Sequence, residues 1–222
     1  MAENNIEQAR FNMVEQQVRT WEVLDQQVLD TLSTVPREAY VPDAYRNVAF
    51  ADTELPLGHG EQMMKPVIEG RLLQALDVNA DDKVLEIGTG SGFITACLAE
   101  MSHQVISIEI QEELATQAAA KLEAQNVSNV TVKTGDALAT ASTYGTFDVI
   151  AVTGSLPRAE AADDLKAQLN TGGRMFVVIG EGVVMEACLI TRTGENQWTC
   201  EDLFETVLPP LTNAAAADAF QF

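Results

Sequence analysis

The chain has 222 residues, of which 46% are hydrophobic and 21% are charged. This composition is typical of a globular protein with one large domain, or with one domain and an extension. The 33 acidic and 13 basic side chains give a formal net charge of −20. Proteins that bind nucleic acid phosphates normally present a basic surface, so this charge argues against a nucleic acid partner.

Targeting segments and paired cysteines are not expected from the sequence. No run of 18 apolar residues is present, and the N-terminus lacks the apolar segment of a signal peptide, so no membrane partner is predicted. The three cysteines have no metal-like spacing, which predicts reduced thiols in a cytoplasmic protein and no metal site. Their positions are Cys97, Cys188 and Cys200. The sequence predicts no particular oligomeric state.

Helices and loops are predicted for the first 80 residues. Apolar residues recur at helical spacing over residues 6–20 and again over 25–33, where Asp25 is a suitable N-cap. Residues 55–60 form a glycine-rich bend, and a further helix is expected over 66–76 because proline suits a first helical turn. Residues 1–80 are therefore predicted to be a helical extension that carries a loop on the substrate side.

Strands and helices alternate from residue 82 onward, which predicts a doubly wound α/β sheet of the Rossmann-like class. Two further strands around the turn at 193–196 predict an antiparallel hairpin at one edge, giving seven mostly parallel strands. Residues 81–222 are thus expected to form the core of one compact unit. The predicted strands are 83–87, 104–108, 129–133, 147–152, 174–179, 184–191 and 198–208, and the predicted helices are 92–101, 111–125 and 159–169.

The most informative stretch is residues 84–92, Val-Leu-Glu-Ile-Gly-Thr-Gly-Ser-Gly. A buried strand here enters a tight turn and becomes a helix, whose first N–H groups and positive dipole end face a ligand. A dinucleotide fingerprint, G-x-G-x-x-G, would need its third glycine at Phe93. The phenylalanine at that position makes a nicotinamide dinucleotide the weaker interpretation.

The pattern E-x-G-x-G-x-G instead resembles motif I of the Rossmann-like S-adenosylmethionine (SAM)-dependent methyltransferases. Glu109 follows Gly88 by 21 residues, at the end of the second strand, where a carboxylate can accept both ribose hydroxyls. In this class an Asp after the third strand, here Asp136, takes the adenine amino group. The resemblance therefore implies SAM as cofactor, bound over the carboxyl ends of the strands. The residues expected to bind it are Glu86, Gly88, Thr89, Gly90, Ser91, Gly92, Glu109, Ile110, Asp136, Ala137 and Thr153.

Two signatures of nucleobase methylation are missing from the sequence. No Asp/Asn-Pro-Pro-aromatic motif follows the fourth predicted strand, and no Pro-Cys nucleophile occurs in the chain. Together with the negative charge, these features point to an acceptor other than nucleic acid.

Four stretches resemble the protein-L-isoaspartate (D-aspartate) O-methyltransferase family, and the resemblance spans roughly residues 10 to 210. They are MVEQQV at 13–18, VPREAYVP at 35–42, ADTELPLGHG at 51–60, and residues 169–180 with their paired glycines. The resemblance implies methyl transfer from SAM to the free carboxylate of isoaspartyl residues in damaged proteins. The ester then collapses to a succinimide, which can reopen to normal aspartate, so the implied role is protein repair.

The sequence departs from the family after the GHG loop, where the family reads Q-T-I-S-x-P and this chain reads EQMMKP at 61–66. The family's threonine aligns with Gln62 and its serine, at the meeting point of methyl donor and carboxylate, aligns with Met64. A methionine cannot donate a hydrogen bond. Lys65 is a hypothetical replacement, and His59 is either a base or a loop residue that shapes the wall of the site. Met64, Lys65 and His59 are therefore the acceptor-side candidates.

Two alternatives to isoaspartyl methylation stay open on the sequence. One keeps SAM binding but changes the acceptor to another carboxylate or a small molecule, since no Lys or Arg follows Arg192 to hold a substrate carboxylate. The other is a SAM-binding module without catalytic activity. A missing catalytic base does not distinguish them, because an ionised carboxylate is already a nucleophile and transfer mainly needs alignment and exclusion of water.

Overall fold

The computed structural model describes residues 3–214. The helices are α1 (Glu3–Asn12), α2 (Gln26–Thr34), α3 (Arg37–Tyr40), α4 (Pro66–Leu76), α5 (Phe93–Met101), α6 (Glu112–Ala124), α7 (Ala137–Thr140) and α8 (Asp163–Lys166). The strands are β1 (Leu55–Gly58), β2 (Glu61–Met63), β3 (Lys83–Ile87), β4 (Gln104–Glu109), β5 (Val130–Thr134), β6 (Phe147–Leu156), β7 (Leu169–Ile179), β8 (Met185–Gly194) and β9 (Gln197–Thr206).

Seven of the strands form one sheet in the order β5-β4-β3-β6-β7-β8-β9. The strands from β5 to β7 are parallel, and β8 and β9 are antiparallel additions at one edge. Alternate residues of the central strands enter two hydrophobic clusters on opposite faces, as Val84 and Leu85 do. Burial on both faces explains the nearly continuous apolar runs of these strands. The predicted doubly wound sheet with an antiparallel edge hairpin is confirmed.

The chain order of the sheet creates one crevice at its carboxyl edge. From β3 the chain proceeds outward through β4 to β5, and it then crosses to the other side of β3 to form β6. In open α/β sheets a ligand binds where the chain reverses direction in this way. The crevice therefore lies beside the turn that follows β3.

The N-terminal segment packs on the sheet through its apolar residues. Helix α1 continues into a π-helix (Met13–Val18) and a short 3₁₀ turn (Arg19–Trp21), so the helix predicted over 6–20 is confirmed. The Asp25 carboxylate caps α2 by accepting from the Val28 N–H at 3.0 Å, as expected. Met13 of this segment belongs to the same hydrophobic cluster as Phe176 of β7. The extension and the sheet thus share a continuous core.

Two secondary-structure predictions were wrong in detail. The bend expected at 55–60 is part of a hairpin of β1 and β2, in which Leu55 pairs with Met63 and both side chains are buried. The helix expected over 159–169 is a 3₁₀ turn (Ala159–Ala162) followed by the single-turn α8, because Leu169 already pairs with Phe147 in the sheet. The single-turn helix α7 was not predicted.

No helix among residues 3–214 combines the length and the apolar character that a bilayer crossing requires. The last eight residues of the predicted unit 81–222 lie outside the described residues.

Candidate active site

The turn after β3 brings backbone close to the crevice. Gly88 and Gly92 have φ values of +93° and +87°, which side-chain-bearing residues rarely adopt. A Cβ atom at Gly88 would lie 2.4 Å from Oγ1 of Thr153, which donates its hydrogen bond to the carbonyl of Ile87 or Gly88 at 2.8 or 2.6 Å. Substitution at Gly88 is therefore excluded by both backbone conformation and space.

Glu109 lies at the end of β4 and faces the glycine turn. One carboxylate oxygen accepts from the Gly90 N–H at 2.8 Å, and the other accepts from the Gln111 N–H at 3.0 Å. The side chain is 4% exposed and lines the crevice. Each carboxylate oxygen has a second lone pair, so both can still accept from a pair of vicinal hydroxyls. The ribose contact stays a prediction, for which this geometry leaves free acceptor positions.

Glu86 is completely buried beneath the same turn. Its Oε2 accepts from the hydroxyls of Thr95 and Ser107, both at 2.5 Å, while its Oε1 has no hydrogen-bond partner among the described residues. Burial raises the pKa of Glu86 to about 8. A buried carboxyl oxygen without a donor is costly unless a ligand supplies one, so Oε1 fits a cationic or N–H group of a bound ligand.

Asp136 begins α7 at the far end of the crevice. Its Oδ1 caps the helix by accepting from the Leu138 N–H at 2.9 Å, and its Oδ2 accepts from the Asn213 amide at 3.0 Å. The predicted adenine acceptor is thus already oriented by a contact with the C-terminal segment. The Asn213 contact could not be predicted from local patterns, because 77 residues separate the pair.

The predicted cofactor residues are brought together. The crevice is lined by Gly88, Gly90, Glu109, Ile110, Asp136, Ala137 and Thr153, and an adjoining small cavity is lined by Glu86, Thr89 and Ser91 as well. Gly92 is not among the described lining residues of either cavity, and it instead lets the backbone enter α5.

Two walls of the crevice are formed by residues that were not among those predicted to bind SAM. Leu57 and Gln62 of the β1–β2 hairpin lie on one side, and residues 209–212 lie on another. The latter segment is held along β6, where the Ser155 hydroxyl donates to the Leu208 carbonyl at 3.0 Å and the Leu211 N–H donates to the Ser155 carbonyl at 2.9 Å. These contacts come from tertiary packing, so local sequence patterns did not reveal them.

An apolar cleft of about 580 Å³ adjoins the crevice. The two share Gln62 and residues 209–211, and Gln62 also lines the small cavity beside the glycine turn. No lysine or arginine is among the described residues that line the cleft. Gln62 therefore stands at the junction of a groove suited to a nucleoside and a cleft suited to a second, partly apolar ligand.

Met64 lies next to the glycine turn and is 6% exposed. Its carbonyl accepts from the guanidinium of Arg37 at 2.8 Å. Arg37 is fully buried, forms two 3.0 Å hydrogen bonds with the Glu69 carboxylate, and lies over the Phe93 ring. The VPREAYVP segment thus positions the loop beside the site, a role for Arg37 that the sequence reasoning missed.

Lys65 and His59 lie away from these cavities in the described structure. The Lys65 ammonium is 3.9 Å from the Glu54 carboxylate and lines a separate surface cavity with Trp21 and Asp52. His59 stands at the hairpin tip with φ +56°, and its Nε2 lies 3.0 Å from a Glu113 oxygen on α6. The structure therefore brings Met64 to the glycine turn but not Lys65 or His59.

Comparisons with known proteins agree with this arrangement. The family model described as protein-L-isoaspartate(D-aspartate) O-methyltransferase matches residues 8–216. Protein-L-isoaspartate O-methyltransferase 1 of Rhodopseudomonas palustris is 36% identical over 203 residues, covering 91% of this chain and 82% of the relative. Protein-L-isoaspartate O-methyltransferase 2 of Pelobacter propionicus is 34% identical, covering 95% of this chain and 93% of the relative.

A solved structure shows the same fold. It is a Plasmodium falciparum protein assigned as a protein-L-isoaspartate O-methyltransferase, in complex with S-adenosyl-L-homocysteine. It superimposes with a TM-score of 0.75 at 22% identity and covers 90% of this chain and 96% of its own. The extent of the family match and the identity to these relatives show that the chain belongs to the protein-L-isoaspartate(D-aspartate) O-methyltransferase family.

Proposed function

We propose that this protein transfers the methyl group of SAM to the free carboxylate of isoaspartyl residues in proteins or peptides. The observation that carries the proposal is the junction at Gln62, where the crevice beside the glycine turn opens into the apolar cleft. A donor in the crevice and an acceptor in the cleft would meet there. Membership of the family and the names of the relatives support the same reaction.

The crevice residues fit SAM group by group. Glu109 would accept the ribose hydroxyls, Asp136 the adenine amino group, and the free Oε1 of Glu86 the ammonium of the methionine moiety. The glycine turn would allow the ligand to approach the backbone closely. Ile110, Ala137 and the other predicted lining residues would supply the remaining contacts.

When bound, SAM would supply a methyl group on a positively charged sulfur. An acceptor carboxylate oxygen would form a bond to this methyl carbon while the carbon–sulfur bond breaks on the opposite side, so that the sulfur leaves as a neutral thioether. The protein has three tasks in this chemistry: to hold both ligands in line, to exclude water, and to orient the acceptor oxygen. Leu57, Met63 and Met64 make the junction apolar. The Gln62 amide carries two N–H donors there and can orient the carboxylate in place of the family's hydroxyls.

The direct test supplies labelled SAM together with an isoaspartyl peptide, and an aspartyl peptide of the same sequence as control. Methyl incorporation into the isoaspartyl peptide alone is the expected result. Calorimetric SAM binding without transfer to either peptide would favour a different acceptor or a non-catalytic module. Absence of SAM binding would overturn the proposal. It would also exclude methyl transfer from SAM to a different acceptor and a non-catalytic module that binds SAM.

Gln62 gives a sharper test of the junction. Replacing Gln62 by Leu should lower kcat/KM for the isoaspartyl peptide by roughly 10–100-fold, the cost of one hydrogen bond to a charged group, while SAM affinity changes far less. A variant that loses SAM affinity but keeps its acceptor kinetics would place Gln62 on the donor side instead.

A different carboxylate acceptor is the second candidate. The observations that favour it are the apolar Met64 at the junction and the absence of basic side chains among the described residues of the cleft. Met64→Ser restores the hydroxyl that the family carries. A rise in isoaspartyl transfer by this variant would show that the natural site has moved away from that substrate, whereas unchanged or lower activity would argue against such a change.

The same proposal includes a cytoplasmic location, which the three unpaired thiols support because reduced cysteines persist there. It also keeps residues 1–80 as a helical extension with a substrate-side loop and residues 81–222 as the SAM-binding core, with Gln62 of the extension meeting the core at the acceptor cleft. Lys65 and His59 remain candidates for contacts with the acceptor outside the junction.

A further inference from the structure

The antiparallel edge of the sheet carries two thiols and a carboxylate in one group. Cys188 lies on β8, and Cys200 and Asp202 lie on β9. The two sulfurs and a carboxylate oxygen all lie within 4.8 Å of one another. Cys188 is buried, while Cys200 and Asp202 are exposed to solvent. None of the three is among the described lining residues of the methyl-transfer crevice or its adjoining cavities.

The strand register determines what this group can form. Cys188 pairs directly with Asp202 and Ile190 pairs with Cys200, so the two cysteines are diagonal neighbours on one face. Diagonal neighbours have Cα atoms about 7–8 Å apart. Disulfides usually need Cα atoms about 4.4–6.8 Å apart. The register therefore suits two separate thiols that share a ligand better than a covalent bond between them.

We propose that Cys188, Cys200 and Asp202 form a binding site for a divalent metal ion of the borderline-soft class, of which Zn²⁺ is typical. The Cys188 sulfur lies 3.7 Å from Oδ1 of Asp202. In a tetrahedral zinc site with Zn–S near 2.3 Å and Zn–O near 2.1 Å, the sulfur and oxygen are about 3.6 Å apart. The fourth position is open to solvent and takes water. Thiolates select this class of metal over Mg²⁺ or Ca²⁺.

Binding of a metal ion to this site would release protons from its thiols. The ion must displace the protons of both thiols to form two metal–sulfur bonds, and its affinity therefore rises with pH. The net charge of −20 also favours a cation. Sequence spacing did not reveal the group because strand pairing, not a short motif, brings the residues together.

The experiment uses the reduced, metal-free full chain titrated with Co²⁺ and with Zn²⁺. We expect one ion per chain, a thiolate-to-cobalt charge-transfer absorption, and proton release upon Zn²⁺ binding in calorimetry. Cys200→Ser should abolish the charge-transfer band, and Asp202→Asn should weaken affinity about tenfold or more. Because Cys200 and Asp202 are exposed, both variants should fold, which circular dichroism checks.

Glu201→Gln is the matched control, since Glu201 is an exposed carboxylate on the same strand between the two ligands. It should bind Co²⁺ as the natural chain does. Absence of a charge-transfer band in the natural chain, or an unchanged band in Cys200→Ser, would overturn the proposal. So would an equal loss of affinity in Glu201→Gln and Asp202→Asn, because that would show binding by general negative charge.

Discussion

Two carboxyl groups of the site, Glu86 and Glu109, both lie close to the glycine turn but in different electrostatic environments. Glu109 accepts two backbone N–H bonds at the mouth of the crevice. Glu86 is buried below it with two hydroxyl donors and one unpartnered oxygen, and its pKa is raised to about 8. Burial disfavours the charged form of a carboxyl group. Glu86 is therefore suited to recognition that depends on its proton.

Glu109→Gln should weaken SAM binding by about 10–100-fold. The amide keeps one acceptor oxygen, but its N–H groups cannot accept from Gly90 or Gln111, and it loses the charge-assisted bonds to the ribose. Isothermal calorimetry measures the change, with Glu112→Gln as control because Glu112 is an exposed residue in the first turn of α6. Equal affinity of natural chain and Glu109→Gln would show that the ribose binds elsewhere.

SAM affinity should rise with pH up to about 8, by at most tenfold per pH unit. Below its raised pKa of about 8 the Glu86 carboxyl keeps its proton, so it must lose that proton to pair with the ligand ammonium. Above pH 8 the ligand's own amino group begins to lose its charge, and the gain should end there. Calorimetry between pH 6 and 8 measures the slope.

Glu86→Gln is the control for this pH dependence, because the amide has the same shape and does not titrate. The variant should bind SAM with little dependence on pH over the same interval. A slope that persists in Glu86→Gln would assign the proton to another group.

Among the secondary-structure elements, the parallel strands were the most predictable. The strand predicted over 83–87 coincides with β3, because its apolar run is buried on both faces and needs no distant partner to be recognised. Helix α4 was predicted equally well from Pro66 and its apolar spacing. By contrast, the β1–β2 hairpin is four and three residues long and has glycines at its turn. Such short strands carry too little alternation to be separated from a bend.

The residues of the candidate site divide in the same way, into those that local patterns predict and those that depend on packing between distant segments. The positions of Glu109, at the end of β4, and Asp136, just after β5, were predictable because parallel strands bring their carboxyl ends to one edge. The roles of Gln62 and Arg37 were not predictable, since they depend on how the N-terminal segment packs on that edge. Sequence patterns predicted the residues of the crevice that lie near the strand ends, whereas they marked the acceptor side only as a departure from the family.

The buried Arg37–Glu69 pair holds the acceptor-side loop to α4, and its removal should be costly. Arg37→Met should lower the free energy of unfolding by about 3–5 kcal/mol, because Glu69 would be left buried without its partner. The double variant Arg37→Met, Glu69→Leu should lose much less than the sum of the single variants. Urea denaturation measures each value.

The exposed pair Arg46–Asp43 provides the control for the buried one. Arg46→Met should change the free energy of unfolding by no more than about 1 kcal/mol, since exposed ion pairs contribute little. Comparable losses in the Arg37 and Arg46 variants, or additive losses in the double variant, would contradict a dominant cost of the unpaired buried charge.

At the scale of the whole molecule, net charge becomes part of acceptor choice. A chain with 33 acidic and 13 basic side chains repels anionic partners at a distance and attracts cationic ones. The surface cavity that contains Lys65 adds a local contribution, because three acidic residues, Asp52, Glu54 and Glu205, line it with this one basic residue. The target carboxylate adds one negative charge to a peptide, and several charged flanking residues can outweigh it. Electrostatics should therefore favour isoaspartyl sites within basic segments.

An isoaspartyl peptide flanked by lysines should show a kcat/KM roughly tenfold higher than the same peptide flanked by glutamates, measured at about 0.01 M salt, where the screening length is about 30 Å. At about 1 M salt, with a screening length near 3 Å, the two values should converge, because only contacts within the cleft then differ. Neutral flanks of glutamine provide the reference, and their kcat/KM should depend little on salt. Equal values for both charged peptides at low salt, or a preference that survives at high salt, would show that acceptors are chosen by contacts in the apolar cleft rather than by the field of the acidic molecule.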